Sequence, residues 1–184
     1  PVSADHHADL IERGGVVVAR QYTLALQEAL HKGAKALLLA DPLFYERAGA
    51  IRLPVGDVAP RAHTSWQGDW ATSFSWLKKS GPFAMLPGDP ILEMEYADLM
   101  PDAVVTGIPA WRYRDLSWAG LALGWVHKPV SLLAKLPYGR GTITLTTFNL
   151  SADSLTHHAI AQALMSGLVT LASGHHSETG FAAG

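Results

Sequence analysis

KLPYGRGTITLTTFNL, residues 135–150, decides the fold, because this stretch predicts a strand placed directly before a helix. The turn Gly-Arg-Gly at 139–141 is followed by a run of residues that favour β-strands. In this run Ile143 and Leu145 alternate with threonines, as the residues on one face of a strand do. An apolar strand is also predicted at 130–136, just before the turn. The two strands are therefore expected to form a β-hairpin.

A capped helix is predicted after this hairpin. The Ser151 hydroxyl can cap the first amides, Asp153 is favourable in the first turn, and Gly174 can end the helix in a left-handed conformation. Apolar residues recur every three or four positions between these caps: Ile160, Ala161, Leu164, Met165, Leu168, Leu171 and Ala172. The chain is thus expected to end by docking a strand and a helix on an apolar core.

A βαβ unit is predicted in the first forty residues. The runs 16–19 and 36–40 are continuously apolar, which is typical of strands buried on both faces of a parallel sheet. A helical stripe between them ends at Gly33. The preceding residues 10–15, which end in Gly14-Gly15, are interpreted as the end of another helix. Parallel strands early and a hairpin late favour a mixed sheet in an α/β layer fold.

The middle of the chain is predicted to be less regular. Prolines punctuate residues 41–90, which are expected to form a loop-rich excursion with short strands. Further along, 103–106 and 121–127 are predicted to be strands, and 108–115 is predicted to be irregular.

The composition limits the classes of protein. The chain has 184 residues, 48% of them hydrophobic and 16% charged, which predicts one domain over 1–184 with a core at about 8–173 and a flexible tail at 174–184. The formal net charge of -2 is dispersed, which argues against nucleic acid and anionic membranes as partners. No apolar run is long enough for a membrane span, so a soluble chain is expected. Without cysteine, the chain suits a secreted, a periplasmic or a cytoplasmic location.

The order of several pieces resembles a known family. After the βαβ start come Gly-Pro-Phe-Ala-Met-Leu-Pro-Gly-Asp-Pro at 81–90, Asp-Leu-Ser-Trp-Ala-Gly at 115–120, and Gly-Arg-Gly-Thr-Ile-Thr-Leu-Thr-Thr-Phe-Asn-Leu at 139–150 before the last helix. This order resembles the C-terminal accessory domain of glycoside hydrolase family 2 enzymes over roughly residues 8–173. The resemblance implies a class I glutamine amidotransferase-like fold, a flavodoxin-like α/β sandwich with a mixed, mainly parallel sheet, a C-terminal β-hairpin and a helix.

The departures from that fold imply a non-catalytic domain. A working amidotransferase carries a cysteine in a Gly-x-Cys-x-Gly turn, whereas Asp41-Pro-Leu-Phe follows the strand 36–40 here. The carboxylates of a family 2 enzyme would lie in a separate barrel domain. The expected role is therefore interdomain packing, assembly or shaping of the substrate cleft in a multidomain glycoside hydrolase. A small stand-alone hydrolase acting through Asp41 or a histidine is a second alternative.

Other polar clusters do not fit catalytic or metal-binding patterns, so no catalytic residue, metal or cofactor is predicted. The adjacent histidine pairs at 6–7, 157–158 and 175–176 lack the spacing of metal ligands on a helix. The carboxylates of Asp89, Glu93, Glu95 and Asp98 are interpreted as a solvated acidic segment.

The tryptophans are the strongest candidates for contact with a partner. Flat indoles beside amides and carboxylates suit both sugar rings and domain interfaces. The candidate residues, for carbohydrate or for interdomain contact, are Trp66, Gln67, Asp69, Trp70, Trp76, Asp115 and Trp118. A carbohydrate-binding module that uses the loop 63–76 is the first alternative function. The sequence leaves homo-oligomer formation, the parent's substrate and the compartment open.

Overall fold

A β-hairpin opens the described part of the computed structural model. The described residues are 11–40, 51–53, 56–61, 73–123 and 130–174. β1 (Ile11–Arg13) pairs antiparallel with β2 (Val16–Ala19). Gly14 and Gly15 have φ of 60° and 74°, which is the conformation that a two-residue hairpin turn requires. The prediction of a helix end before Gly14 is therefore wrong, because the glycine pair turns one strand into the next.

The predicted βαβ unit is confirmed. β2 is followed by α1 (Leu24–His31) and then by β3 (Lys35–Leu39), which pairs in parallel with β2. Thr23 begins the helix, since its hydroxyl accepts a hydrogen bond from the Leu26 amide at 3.2 Å. Leu26 and Leu30 are buried on the inner side of the helix, as its apolar stripe predicts.

The middle of the chain contributes several short elements. They are β4 (Ile51–Leu53), β5 (Gly56–Pro60), β6 (Ser73–Leu77), 3-10 turns at Gly81–Phe83 and Met94–Leu99, β7 (Ala103–Thr106), α2 (Ala110–Leu116) and β8 (Ser117–Leu123). The strand at 103–106 is confirmed. Residues 108–115, predicted to be irregular, instead hold most of α2, where Tyr113 and Leu116, three positions apart, pack inward. The strand predicted at 121–127 begins earlier, at Ser117.

The C-terminal hairpin and helix form as predicted, with one interruption. β9 (Val130–Tyr138) and β10 (Gly141–Thr146) pair antiparallel. Ser151 caps α3 (Ala152–His157), and its hydroxyl accepts from the Ser154 amide at 3.0 Å. The chain then breaks at His158, whose Nδ1 accepts from the Ala161 amide at 3.3 Å and so caps α4 (Ala159–Ser173). Gly174 ends α4 with φ of 71°.

The ten described strands form one mixed sheet. Its order is β1-β2-β3-β10-β9-β7-β5-β4, with β8 also beside β9 and β6 beside β8. Among the described residues only the pairs β2–β3 and β3–β10 are parallel, and the other seven pairings are antiparallel. The mixed α/β class is therefore correct, whereas the expectation of a mainly parallel sheet is wrong. The parallel strands β2, β3 and β10 lie close to the β1 edge of the sheet, and the hairpins and the strands from the middle of the chain add antiparallel neighbours on either side.

Helices cover both faces of this sheet. Along β3, Ala36 and Leu38 belong to one buried cluster with Leu30 of α1, while Leu37 belongs to another with Leu168 of α4. Alternate residues of a strand point to opposite faces, so α1 and α4 lie on opposite sides. We call these the α1 face and the α4 face. α2 lies on the α1 face, since Leu116 joins the same cluster as Leu30.

Candidate functional site

The structure places three of the seven candidate contact residues. Trp76, Asp115 and Trp118 are described, while Trp66, Gln67, Asp69 and Trp70 lie outside the described residues, as does Asp41. The three described side chains come from β6, α2 and β8. Each of them has a different environment.

Trp76 lies on the α1 face of the sheet, among apolar side chains that are partly exposed. Strand register places Phe74 opposite Ala122 and Trp76 opposite Gly120, and Ile91 forms a single bridge with Trp76 from the other side. All of these positions share one face, because paired residues point the same way. Phe74 is 47% exposed and Ile91 is 48% exposed. We call Phe74, Trp76, Ile91 and Ala122 the aromatic face.

Gly120 makes room for the indole of Trp76. A Cβ atom at Gly120 would lie 2.7 Å from Trp76 Cζ2, and it would also meet the Tyr113 hydroxyl. The rings of Trp76 and Tyr113 stand edge to face, with centroids 6.2 Å apart. The absence of a side chain at this position of β8 therefore lets the two rings close over the strand.

A buried hydroxyl network holds Tyr113 in place beside Trp76. Its hydroxyl donates to the Val130 carbonyl at 2.7 Å, and the Ser117 and Ser131 hydroxyls lie 2.6 Å apart. Burial raises the pKa of Tyr113, and hydrogen bonds from the two serines oppose that shift. The phenol therefore stays neutral and acts as a fixed donor that anchors α2 to β9.

Trp118 belongs to the opposite side of the sheet. Its ring packs against the cluster of the α4 face and stands edge-on to Phe83, with centroids 6.1 Å apart. The Lys78 ammonium lies 5.3 Å from the centre of the Trp118 ring and donates to the Arg114 carbonyl at 2.6 Å. Trp76 and Trp118 thus do not form one platform.

Asp115 is exposed near the end of α2. Its charge acts on Lys78: burial lowers the pKa of that lysine, and Asp115 partly offsets the shift. The carboxylate therefore helps to keep a cation beside Trp118.

No family model and no curated protein matches this chain.

The other polar groups singled out in the sequence lie at the surface or within turns. Asp89, Glu93 and Asp98 are exposed, and Glu95 is half-buried beside Lys79, whose pKa burial lowers and Glu95 partly restores. Lys79 itself donates to the carbonyls of Leu86 and Pro87 and to the Tyr96 hydroxyl, and so closes the turn at 79–96. Within the described ranges, no three His, Asp or Glu side chains converge as metal ligands do.

Phe74 and Ile91 are further candidate contact residues, which sequence reasoning missed. Their signal is non-local, because Ile91 reaches Trp76 only through the backbone pairing of residues 90–92 with β6. The alternation Ser-Phe-Ser-Trp at 73–76 could have indicated one apolar face of a strand. No helix in the described part of the chain is long and apolar enough to cross a membrane.

Proposed function

We propose that this chain is a non-catalytic accessory α/β domain of a multidomain glycoside hydrolase, with a flavodoxin-like, class I glutamine amidotransferase-like core. In this proposal the aromatic face packs against a neighbouring domain of the same polypeptide. The resemblance at 81–90, 115–120 and 139–150 supports the family, and the βαβ unit covered by helices on both faces supports the fold. The observation that carries the proposed role is the half-exposed pair of Phe74 and Ile91 beside Trp76.

The size of the aromatic face favours a neighbour in the same chain. Complete burial of a large apolar side chain is worth about 1.5–3 kcal/mol, so covering the exposed halves of Phe74 and Ile91 contributes roughly that amount in total. A free partner must first offset about 4–15 kcal/mol of lost translational and rotational freedom. A tethered domain avoids most of that cost, because its effective concentration is high.

A second surface suits packing in the same way. The outer side of α3 and α4 forms an open groove of about 400 Å³, lined by Leu155, Gln162, Met165, Ser166, Val169 and Thr170. Its apolar members are only partly buried. An accessory domain that lies between two neighbours would use both surfaces.

The proposal is tested first in the gene and then in the whole protein. The reading frame should encode a barrel domain with two catalytic glutamates upstream of Pro1. In that protein, Phe74→Ser and Ile91→Ser should speed proteolysis between domains and hydrogen exchange on β6. Trp111→Ser is the matched control, since Trp111 is 80% exposed on α2 and outside the aromatic face. A frame without a barrel, or variants that behave like the control, would refute the proposal.

Catalysis by the chain itself would also refute it. The isolated chain should not hydrolyse aryl-glycosides. Turnover whose pH dependence follows the titration of a carboxylate would show that this chain itself carries the glycosidase activity.

The carbohydrate-binding alternative is favoured by Phe74 and Trp76, which lie two residues apart on one face of β6. Partly exposed rings at this spacing could stack on successive sugar units. Galactosides, mannosides and plant-wall oligosaccharides should then change tryptophan fluorescence in the wild type, and Phe74→Ala should weaken the response. No response at millimolar sugar would leave interdomain packing as the better account.

A further inference from the structure

A small crevice lies where the three parallel strands end. β2, β3 and β10 run in the same direction, and their carboxyl ends lead to Arg20, Ala40 and Phe148. These residues, together with Asn149 and Ser151, line a cavity of about 90 Å³. The crevice is far in sequence and in the sheet from the aromatic face on β6.

The topology explains why a crevice forms here. The chain leaves β2 towards α1 on one face, and it leaves β10 towards α3 and α4, of which α4 packs on the other face. The two segments therefore diverge on either side of the end of β3. In open α/β sheets, ligands bind in crevices of this kind, at the carboxyl ends of strands whose connections separate.

Arg20 gives this crevice its charge. Its guanidinium donates to the Leu150 carbonyl at 2.9 Å, which holds the head group at the cavity. That bond uses one of five N–H donors, and the others keep the fork geometry that suits carboxylates and phosphates. Among the described residues no carboxylate lies within ion-pair distance of Arg20, so none of them neutralises its charge.

The remaining wall combines polar side chains with an apolar floor. Two hydrogen bonds hold Asn149 in place. Its backbone amide donates to the Leu99 carbonyl at 3.0 Å, and its side-chain amide donates to the Asp98 carbonyl at 3.4 Å. Ala40 and Phe148 are almost completely buried below it. A water molecule occupies about 30 Å³, so the cavity has room for roughly three waters or for one small oxyanion.

We propose that this crevice binds a small oxyanion, as a carboxylate or a phosphate group, with Arg20 as its principal ligand. The cavity has room beside the guanidinium for a head group of four or five heavy atoms. This site is independent of the proposed interdomain role, and either proposal can fail without the other.

Amide chemical shifts test the proposal. The ¹⁵N-labelled chain is titrated with inorganic phosphate and, in a second series, with acetate, while sodium chloride keeps the ionic strength constant. Saturable shifts at Ala40 and at residues 149–151 are the expected result, and the stronger series identifies the preferred oxyanion. Arg20→Met should weaken binding at least tenfold, and Arg20→Lys should weaken it several-fold because the fork is lost.

Arg140→Met provides the matched control. Arg140 is also exposed and also donates to backbone carbonyls, those of His31 and Lys32, but it lies at the amino end of β10. This variant should bind phosphate as the wild type does. Linear shifts without saturation, or equal shifts around Arg20 and Arg140, would overturn the proposal. If Arg20→Met does not fold, saturation in the wild type and the Arg20→Lys series decide the question.

Discussion

Replacing Gly167 by alanine should destabilise the protein, although alanine is the better helix former. Gly167 is buried in α4, where a Cβ atom would lie 2.6 Å and 2.7 Å from two ring carbons of Phe83 and 2.9 Å from the Pro82 carbonyl oxygen. Carbon atoms prefer separations of about 3.5–4.0 Å. The ring of Phe83 is completely buried and the carbonyl belongs to the backbone, so neither can move without disturbing its neighbours.

The size of the effect follows from two opposing contributions. Alanine should favour the helix by about 1 kcal/mol over glycine. Overpacking a core typically costs about 1–3 kcal/mol, and contacts this short belong in the upper part of that range. We therefore expect Gly167→Ala to lower the free energy of unfolding by about 1–2 kcal/mol. For a chain of this size, that lowers Tm by about 2–8 °C.

Urea unfolding, followed by tryptophan fluorescence and circular dichroism, measures this change. Ser166→Ala is the control on the same helix, where an exposed side chain should gain up to about 0.5 kcal/mol from helix propensity alone. Phe83→Leu should reduce the cost of the alanine, so the double variant should lose less than the sum of the two single losses. Stabilisation by Gly167→Ala of about 1 kcal/mol would show that α4 does not pack closely on the turn at 81–83.

Three further changes test other parts of the structure. Gly120→Ala should cost about 1–3 kcal/mol in thermal unfolding and alter the near-ultraviolet dichroism of Trp76, and an unchanged dichroic spectrum would contradict the packing described here. His158→Ala should lose the cap of α4 and about 0.5–2 kcal/mol, whereas His158→Asp should restore it; equal stability of both variants by urea unfolding would exclude a capping role. Burial, reinforced by the charge of Lys35, lowers the pKa of Lys135, so Lys35→Met should raise that pKa in an NMR titration. The pKa of Lys135 is lower in the folded than in the unfolded protein, so the wild type should become more stable as pH rises from the folded pKa towards about 10.4. A contribution of Lys135 to the free energy of unfolding that falls over this pH range would refute the lowered pKa.

The sequence predicts those elements whose pattern and partners are local. The strands 16–19 and 36–40 are continuously apolar and are joined by a short amphipathic helix, so the βαβ unit follows directly. The hairpin around Gly139-Arg140 is equally local. By contrast, a glycine pair occurs both at the ends of helices and in the turns of hairpins. Gly14 and Gly15 alone therefore do not show which of these structures forms, and the pairing of β1 with β2 decides it.

Non-local contacts decide what the sequence does not predict. α2 was missed because its polar and aromatic residues show little helical pattern, and its inward side is set by the fit of Tyr113 over Gly120. The break at His158 is not predicted because apolar residues lie on both sides of it, at Leu155 and Ile160, and no glycine or proline marks it. The aromatic face depends on strand register, which brings Phe74 and Ile91 to the same surface.

The position of β10 affects how the chain can be made. β10 pairs in parallel with β3, with Thr142 opposite Lys35, so an inner strand of the sheet comes from the last third of the sequence. Synthesis at about 5–20 residues per second leaves the apolar edge of β3 without this partner for roughly 5–20 s. Nascent chains that stop before β10 therefore expose a strand edge that invites aggregation. The edge of β3 is therefore protected only after the C-terminal hairpin has been synthesised.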